Sequence, residues 1–202
     1  LLYGIHRPDQ GRILVDGREG EIRSPRDAIT QGIGMVHQHF MLVPTLTVVE
    51  NCSIGRGTLT SRFQPDPIEA DMESIAERYG LRVDPHSVVE DLSVGLQQRV
   101  EIVRALARGA EVLILDEPTA VLTPQEADEL LAGLRPLTNE GKSIIFITHK
   151  LREVMAVSNR VTVLRRGKHI STLPTTEATE RELALLMIGK PALPELQRVD
   201  RE

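Results

Sequence analysis

The sequence predicts an α/β fold in which a mostly parallel sheet is split, in chain order, by a helical subdomain. Val112-Leu113-Ile114-Leu115 and Ser143-Ile144-Ile145-Phe146-Ile147-Thr148 are continuous apolar runs of strand length. Runs without alternation read as strands covered on both faces, the habit of parallel sheets. Between them lies a strongly marked helix, with Thr123 as N-cap, Pro124 at the first helical position and Glu126 three residues after the cap. Leu130, Leu131, Leu134 and Leu137 share one face, and Gly141 follows the end. Strand, helix, strand is a crossover unit, expected to be right-handed. By contrast, the stretch from about Phe40 to Ala107 carries helix-start signals and reads as helical throughout.

The remaining elements follow in order. Arg12 to Val15 is a short strand closed by the turn pair Asp16-Gly17. Ser24 caps a helix with Pro25 at its first position and Gly32 as its stop. Gly34 to His37 is a brief apolar strand ending at Gln38. Thr47-Val48-Val49-Glu50 is a capping box, in which hydroxyl and carboxylate satisfy free amide donors reciprocally. Asp66-Pro67-Ile68-Glu69 repeats that logic, and Gly80 closes the segment it opens. Ser93 precedes a helix whose apolar face is Val100, Val103, Leu106 and Ala107. Val161–Leu164 and His169–Leu173 form a hairpin around Arg165-Arg166-Gly167-Lys168, whose charges are expected to be solvated. A last helix runs from Glu180 to about Ile188, capped by Thr179 with Glu182 in the box position. Residues 1–189 are read as one domain, with the helical subdomain at about 40–107, and 190–202 as a linker or tail.

Composition narrows the function. The chain has 202 residues, 24 basic against 29 acidic, and a formal net charge of −5. Aromatics make up 2% and Trp is absent, so Leu, Ile and Val must build the core, and stacking platforms for bases are not expected. Nucleic acid is therefore not an expected partner. The single cysteine, Cys52, allows no internal disulfide, suits a reducing compartment and reads as a small buried hydrophobe in a helix. No apolar run approaches the roughly 20 residues needed to cross a bilayer, and the expectation is a soluble, cytosolic chain. The chain opens on Leu1-Leu2-Tyr3-Gly4 in mid-pattern, which reads as the loss of an N-terminal portion.

Candidate chemistry gathers at element ends. Asp116 and Glu117 follow a buried strand, where ligands of open α/β sheets bind. There Asp116 suits a hydrated Mg²⁺ and Glu117 suits proton abstraction from water, although acidic residues also end strands simply by returning to solvent. His149 ends the second apolar strand and Gln38 an earlier one. Ser93 and Gly95 stand at a helix start, whose amides and dipole attract anions, or where Ser93 is a plain cap. His37 and His39 have a spacing that suits a metal, but no third ligand converges in the sequence and no metal is expected there.

The order Gln38, Leu92-Ser93-Val94-Gly95-Leu96-Gln97, Asp116-Glu117 and His149 resembles the nucleotide-binding subunit of ATP-binding cassette (ABC) transporters, across nearly the whole chain to about Gly189. Gly34-Met35-Val36-His37-Gln38-His39-Phe40, Asp116-Glu117-Pro118-Thr119-Ala120-Val121-Leu122-Thr123-Pro124 and Thr148-His149-Lys150 are similar to the cassettes that energise simple-sugar and nucleoside importers. Those commonly carry two cassettes in one chain, and the likeness is to the first. The resemblance implies a P-loop NTPase-like core, ATP and Mg²⁺ as ligands, and hydrolysis at a cassette dimer interface. Gln38 would sense Mg²⁺, the attacking water and the permease. Asp116 would hold Mg²⁺, Glu117 would be the catalytic base, and His149 would touch the γ-phosphate. Ser93 and Gly95 would bind the γ-phosphate of ATP held by the opposite cassette. Implied partners are integral membrane permease subunits, a second cassette and, indirectly, a solute-binding protein, at the cytoplasmic side of the membrane.

Three departures stand out. The usual Leu-Ser-Gly-Gly-Gln is Leu92-Ser93-Val94-Gly95-Leu96, and the Asp usual after the Asp-Glu pair is Thr123; both occur in the sugar and nucleoside group. Third, no Gly-x-x-x-x-Gly-Lys-Ser/Thr is present, the loop whose amides and Lys cradle phosphates, nor the upstream aromatic that stacks on adenine. Leu1-Leu2-Tyr3-Gly4-Ile5 resembles the helix exit after that loop. The reading is an N-terminally truncated cassette, inactive alone. Its alternatives are a non-catalytic remnant and a cassette ATPase acting on DNA or ribosomes, which would call for coiled-coil insertions or basic arms.

Overall fold

A computed structural model describes residues 1–55 and 65–189. It divides the chain into two compact units, Leu1–Ile147 and Thr148–Glu202.

In the first unit, β1 (Leu14–Val15) and β2 (Arg18–Glu19) form a small hairpin. Its turn residues Asp16 and Gly17 both have positive φ, 51° and 75°, the handedness that matches strand twist. The strand covers only Leu14 and Val15, with the Ile13 carbonyl accepting from the Gly20 N–H at 2.9 Å, and is shorter than the one predicted from Arg12. Helix α1 (Pro25–Thr30) starts as expected, the Ser24 hydroxyl accepting from the Asp27 N–H, and Gly32 follows at φ 74°.

The central feature is a three-stranded sheet in the order β3 (Ile33–Val36), β4 (Val112–Asp116), β5 (Ser143–Ile147), all parallel. Gly34 is where α4 (Val94–Ala107) presses on β3, for a Cβ there would come within 2.9 Å of Ala110 Cβ and 3.1 Å of Ala105 Cβ. Helix α5 (Pro124–Asn139) connects β4 to β5 with its predicted capping box formed and Leu130, Leu131, Leu134 and Leu137 buried. β4 is covered as predicted, with Leu113, Ile114 and Leu115 buried. β5 is not: its residues alternate between exposed and half-buried, and Ile145 and Ile147 face solvent. β4 has neighbours on both sides, whereas β5 is the last strand of the described sheet.

The stretch from Phe40 to Ala107 is helical only in parts, which corrects the expectation of continuous helix. Helices α2 (Val48–Ser53), α3 (Pro65–Tyr79) and α4 are separate elements, and irregular chain joins α3 to α4. Between α3 and α4, Gly80 takes φ 68°, the Asp84 carboxylate accepts from the His86 N–H and the Ser87 hydroxyl, and Val88 bridges to Thr47. A single 3₁₀ turn, Val89–Asp91, leads into α4. The Thr47–Glu50 capping box is present. Asp66 is not a cap, because α3 already starts at Pro65, a residue well suited to a first helical position. Cys52 is fully buried on α2, as expected, among a core that includes Val48, Met72, Val100 and Val103.

The second unit contains α6 (Leu151–Val157), which carries no strong sequence signal, then the hairpin β6 (Arg160–Arg165) and β7 (Lys168–Pro174), then α7 (Glu180–Ile188). The strands reach into the charged tetrapeptide, Arg165 pairing with Lys168, so only Arg166 and Gly167 turn. Thr179 and Glu182 form the predicted box and Gly189 ends α7 in the left-handed region. Val154, Val163, Ala178 and Leu183 form this unit's core. The expected tail, 190–202, lies outside the described residues.

Leu137 on α5 is 1% exposed, and truncating such a side chain leaves a cavity. Leu137→Ala is expected to lower stability by about 2–5 kcal/mol in urea unfolding, against about 1 kcal/mol for removing the α5 cap in Thr123→Ala.

Candidate functional site

Parallel pairing brings three strand ends together. Val36 is opposite Leu115, Leu115 opposite Phe146 and Asp116 opposite Ile147. The chain leaving β3 therefore carries Gln38, which is exposed, past the same end at which half-buried Asp116 closes β4. This is the edge of an open α/β sheet where ligands collect.

Glu117 follows with φ 46°, a left-handed conformation that costs a residue with a Cβ about 1–2 kcal/mol. Its surroundings hold it there: the Glu117 N–H donates to the Ile147 carbonyl at 2.9 Å, and its carbonyl accepts from the Ala120 N–H at 3.0 Å. The turn continues through buried Thr119, whose carbonyl accepts from the Leu122 N–H. Strain maintained in this way clusters at functional sites. Gln38, Asp116 and Glu117 thus share one end of the sheet.

Ser93 and Gly95 sit at the start of α4. The Ser93 hydroxyl caps the helix, accepting from the Leu96 N–H at 3.3 Å, and remains exposed with its own proton to donate. Gly95 meets a residue whose second contact the sequence did not reveal. Glu126, already the box residue of α5, accepts from the Thr123 N–H and hydroxyl at 3.0 and 2.9 Å and lies against Gly95. A Cβ on Gly95 would come 2.8 Å from its Oε1. The Thr123 backbone bond, then the Thr123 hydroxyl, then the Gly95 amide hold the Glu126 carboxyl below its ordinary range. An Arg99–Glu129 ion pair at 2.7 Å adds a second link between α4 and α5.

His149 is the second residue of the second unit, two residues past β5. It is exposed and lies in a turn fixed by Thr148, whose hydroxyl donates to Glu153 Oε2 and accepts from the Lys150 N–H, each at 3.0 Å. His37 packs edge-on against Tyr3, ring centroids 5.7 Å apart.

Mg²⁺ suits the oxygen donors at the strand ends, the Asp116 carboxylate and the Gln38 amide oxygen. Among the described residues no three His, Cys, Asp or Glu side chains converge. Mg²⁺ commonly takes one or two protein carboxylates and completes its shell with water and phosphate oxygens. A concavity of about 350 Å³, open to solvent, lies elsewhere, against Tyr3, Ile29, Met35, Glu101, Arg104 and Arg108.

A parallel sheet with Gln38, Asp116 and Glu117 at its carboxyl edge, joined to a helical segment that starts α4 at Ser93, is the layout of a cassette of the ABC type. Residues 1–120 match the family described as ABC transporter, and the chain belongs to that family. It is 45% identical to the glucose import ATP-binding protein TsgD13 of Haloferax volcanii, over 100% of this chain and 42% of that protein. It is 50% identical to the nucleoside import ATP-binding protein NupA of Lactococcus lactis subsp. cremoris, over 94% and 38%. Among solved structures, cbiO1 from Clostridium perfringens, part of the ABC transporter complex cbiONQ, superposes with a TM-score of 0.75 at 28% identity, covering 91% of this chain and 74% of that one. The chain spans about two fifths of the length of these curated relatives.

Because the folded-state pKa of Glu126 lies below its unfolded value, its carboxylate adds stability above the ordinary carboxylate range. That contribution is lost as pH falls through the lowered folded value. Glu126→Gln is therefore expected to be less stable than wild type at neutral pH, the deficit closing in acid. Urea unfolding along a pH series checks this, and a pH-independent difference would contradict it.

Proposed function

We propose that the chain is the ATP-binding part of an importer for a simple sugar or nucleoside, coupling ATP hydrolysis to transport through membrane permease subunits from the cytoplasmic side of the membrane. The observation that carries this reading is the placement of Asp116 and Glu117 at the carboxyl end of β4, beside the β3 end that leads to Gln38. Its support is the family of the chain and the relatives named for glucose and nucleoside import.

Asp116 and Gln38 are the residues that would hold Mg²⁺, which when bound neutralises charge on the phosphates. Glu117 accepts the proton of the attacking water, and its fixed backbone keeps that carboxylate from wandering. His149 is assigned to the terminal phosphate. Ser93 donates its hydroxyl, and α4 its amide end, to a phosphate carried by a second cassette.

In the full-length protein, Glu117→Gln is expected to keep ATP binding while slowing hydrolysis by about 10²–10⁴-fold. Equilibrium binding and steady-state turnover check it, and unchanged turnover removes Glu117 from its role. These 202 residues alone hold no Gly-x-x-x-x-Gly-Lys-Ser/Thr loop; they are expected to bind Mg-ATP weakly and to turn none over. Cassette-level turnover from them would refute the need for that loop. Co-purification of the full-length protein with a permease, rather than with ribosomes or DNA, tests the assignment to transport.

A further inference from the structure

Helix α4 begins without a negative charge of its own. No acidic residue lies in its first turn, whereas α1, α2, α5, α6 and α7 each carry one there. Open amides and the aligned peptide dipoles leave such a start partly positive. The carboxylate beside it comes from α5 instead. A Cβ on Gly95 would lie 2.8 Å from Glu126 Oε1 and 3.1 Å from its Cδ, so the charge stands against the second residue of α4.

The other oxygen fixes its position. Glu126 Oε2 accepts from the Thr123 N–H at 3.0 Å and from the Thr123 hydroxyl at 2.9 Å, which leaves Oε1 on the side of Gly95 and holds the half-buried side chain in place. Arg99, further along α4, is engaged with Glu129 at 2.7 Å. Exposed Ser93 keeps a hydroxyl proton to donate. A helix start that attracts anions thus has a fixed anion at its side. Glutamine also closes a capping box, so the box does not account for the negative charge.

We infer that Glu126 is a charge gate on the α4 start: it opposes the phosphate that Ser93 and Gly95 receive from a second cassette, and so raises the ATP concentration at which paired cassettes fill. The inference rests on the transport reading above, and adds to it a residue that weakens nucleotide binding. Like charges repel more strongly where water is partly excluded, as it is around a half-buried carboxylate that a second cassette covers.

The test uses the full-length protein as wild type, Glu126→Gln, Glu126→Asp and Ser93→Ala, with turnover measured against Mg-ATP concentration. Half-saturation is the readout, because it does not depend on the fraction of protein folded. In Glu126→Gln it is expected at a concentration lower by about threefold or more, since charge is lost while shape is kept. Glu126→Asp keeps the charge but withdraws it by one methylene, and a smaller decrease is expected; should the Gln variant fail to fold, the Asp variant decides. The difference between wild type and Glu126→Gln is expected to vanish as salt rises from about 0.01 to about 1 M, over which the screening length falls from ~30 to ~3 Å. Half-saturation that is unchanged or raised in Glu126→Gln overturns the inference, a raised value showing structural support only. A decrease that salt leaves untouched also overturns it, for relief of crowding against Gly95 would then suffice. Ser93→Ala separates the two readings, and its half-saturation is expected to rise. If it stays at the wild-type value, the α4 start is not the phosphate site and both readings fall, whereas if it rises while Glu126→Gln shows no decrease, the gate alone falls.

Discussion

In a parallel ladder all strands end on the same side, and here the backbone bonds between β3, β4 and β5 turn three distant stretches of sequence into one edge. Those bonds pair Val36 with Leu115 and Asp116 with Ile147, so the register decides what is delivered where. A slip of one residue on β4 would reverse its faces, bringing Asp116 and the apolar residues before it out of place together. Burial of Leu113, Ile114 and Leu115 makes such a slip costly. The placement of the candidate carboxylates is thereby guaranteed by the same apolar run that builds the core.

Helix starts supply the second layer of order. Thr47–Glu50, Thr123–Glu126 and Thr179–Glu182 all close as reciprocal boxes. In each the carboxylate answers amide donors that the helix itself leaves open. At Glu126 the same carboxylate also lies against Gly95 on a different helix. A local motif has there become a tertiary tie, possible because position 95 has no Cβ in the way.

What was legible in the sequence follows from range. The caps at Ser24, Thr47, Ser93, Thr123 and Thr179, the Asp16-Gly17 turn and the apolar runs depend on neighbours within a few residues, and they are found where the sequence places them, whereas Asp66 falls inside α3. Helix-start signals between Phe40 and Ala107 do not reveal the irregular chain at 81–88, whose shape comes from the positive φ of Gly80 and from the Asp84 side-chain bonds. β5 looked like β4 in composition, and only its place in the sheet separates them. Helix α6 has no side-chain cap to announce it. Within the candidate site, Gln38, Asp116 and Glu117 could be placed at strand ends from sequence. Glu101 could not, since its partner Met41 lies 60 residues away and nothing local marks the charge as buried.

Ile147 deserves a mechanistic reading beyond its exposed side chain. Its backbone is opposite Asp116 in the ladder and its carbonyl receives the Glu117 N–H. Two consecutive carboxylates are therefore fixed by one residue of β5, and the left-handed Glu117 conformation is held by that bond and by the Ala120 N–H. Without the Ile147 contact, the 1–2 kcal/mol cost of a positive φ would favour relaxation of the turn. A residue whose backbone is strained in this way is set by a neighbouring strand, so substitutions that disturb the end of β5 would disturb Glu117 without touching its side chain.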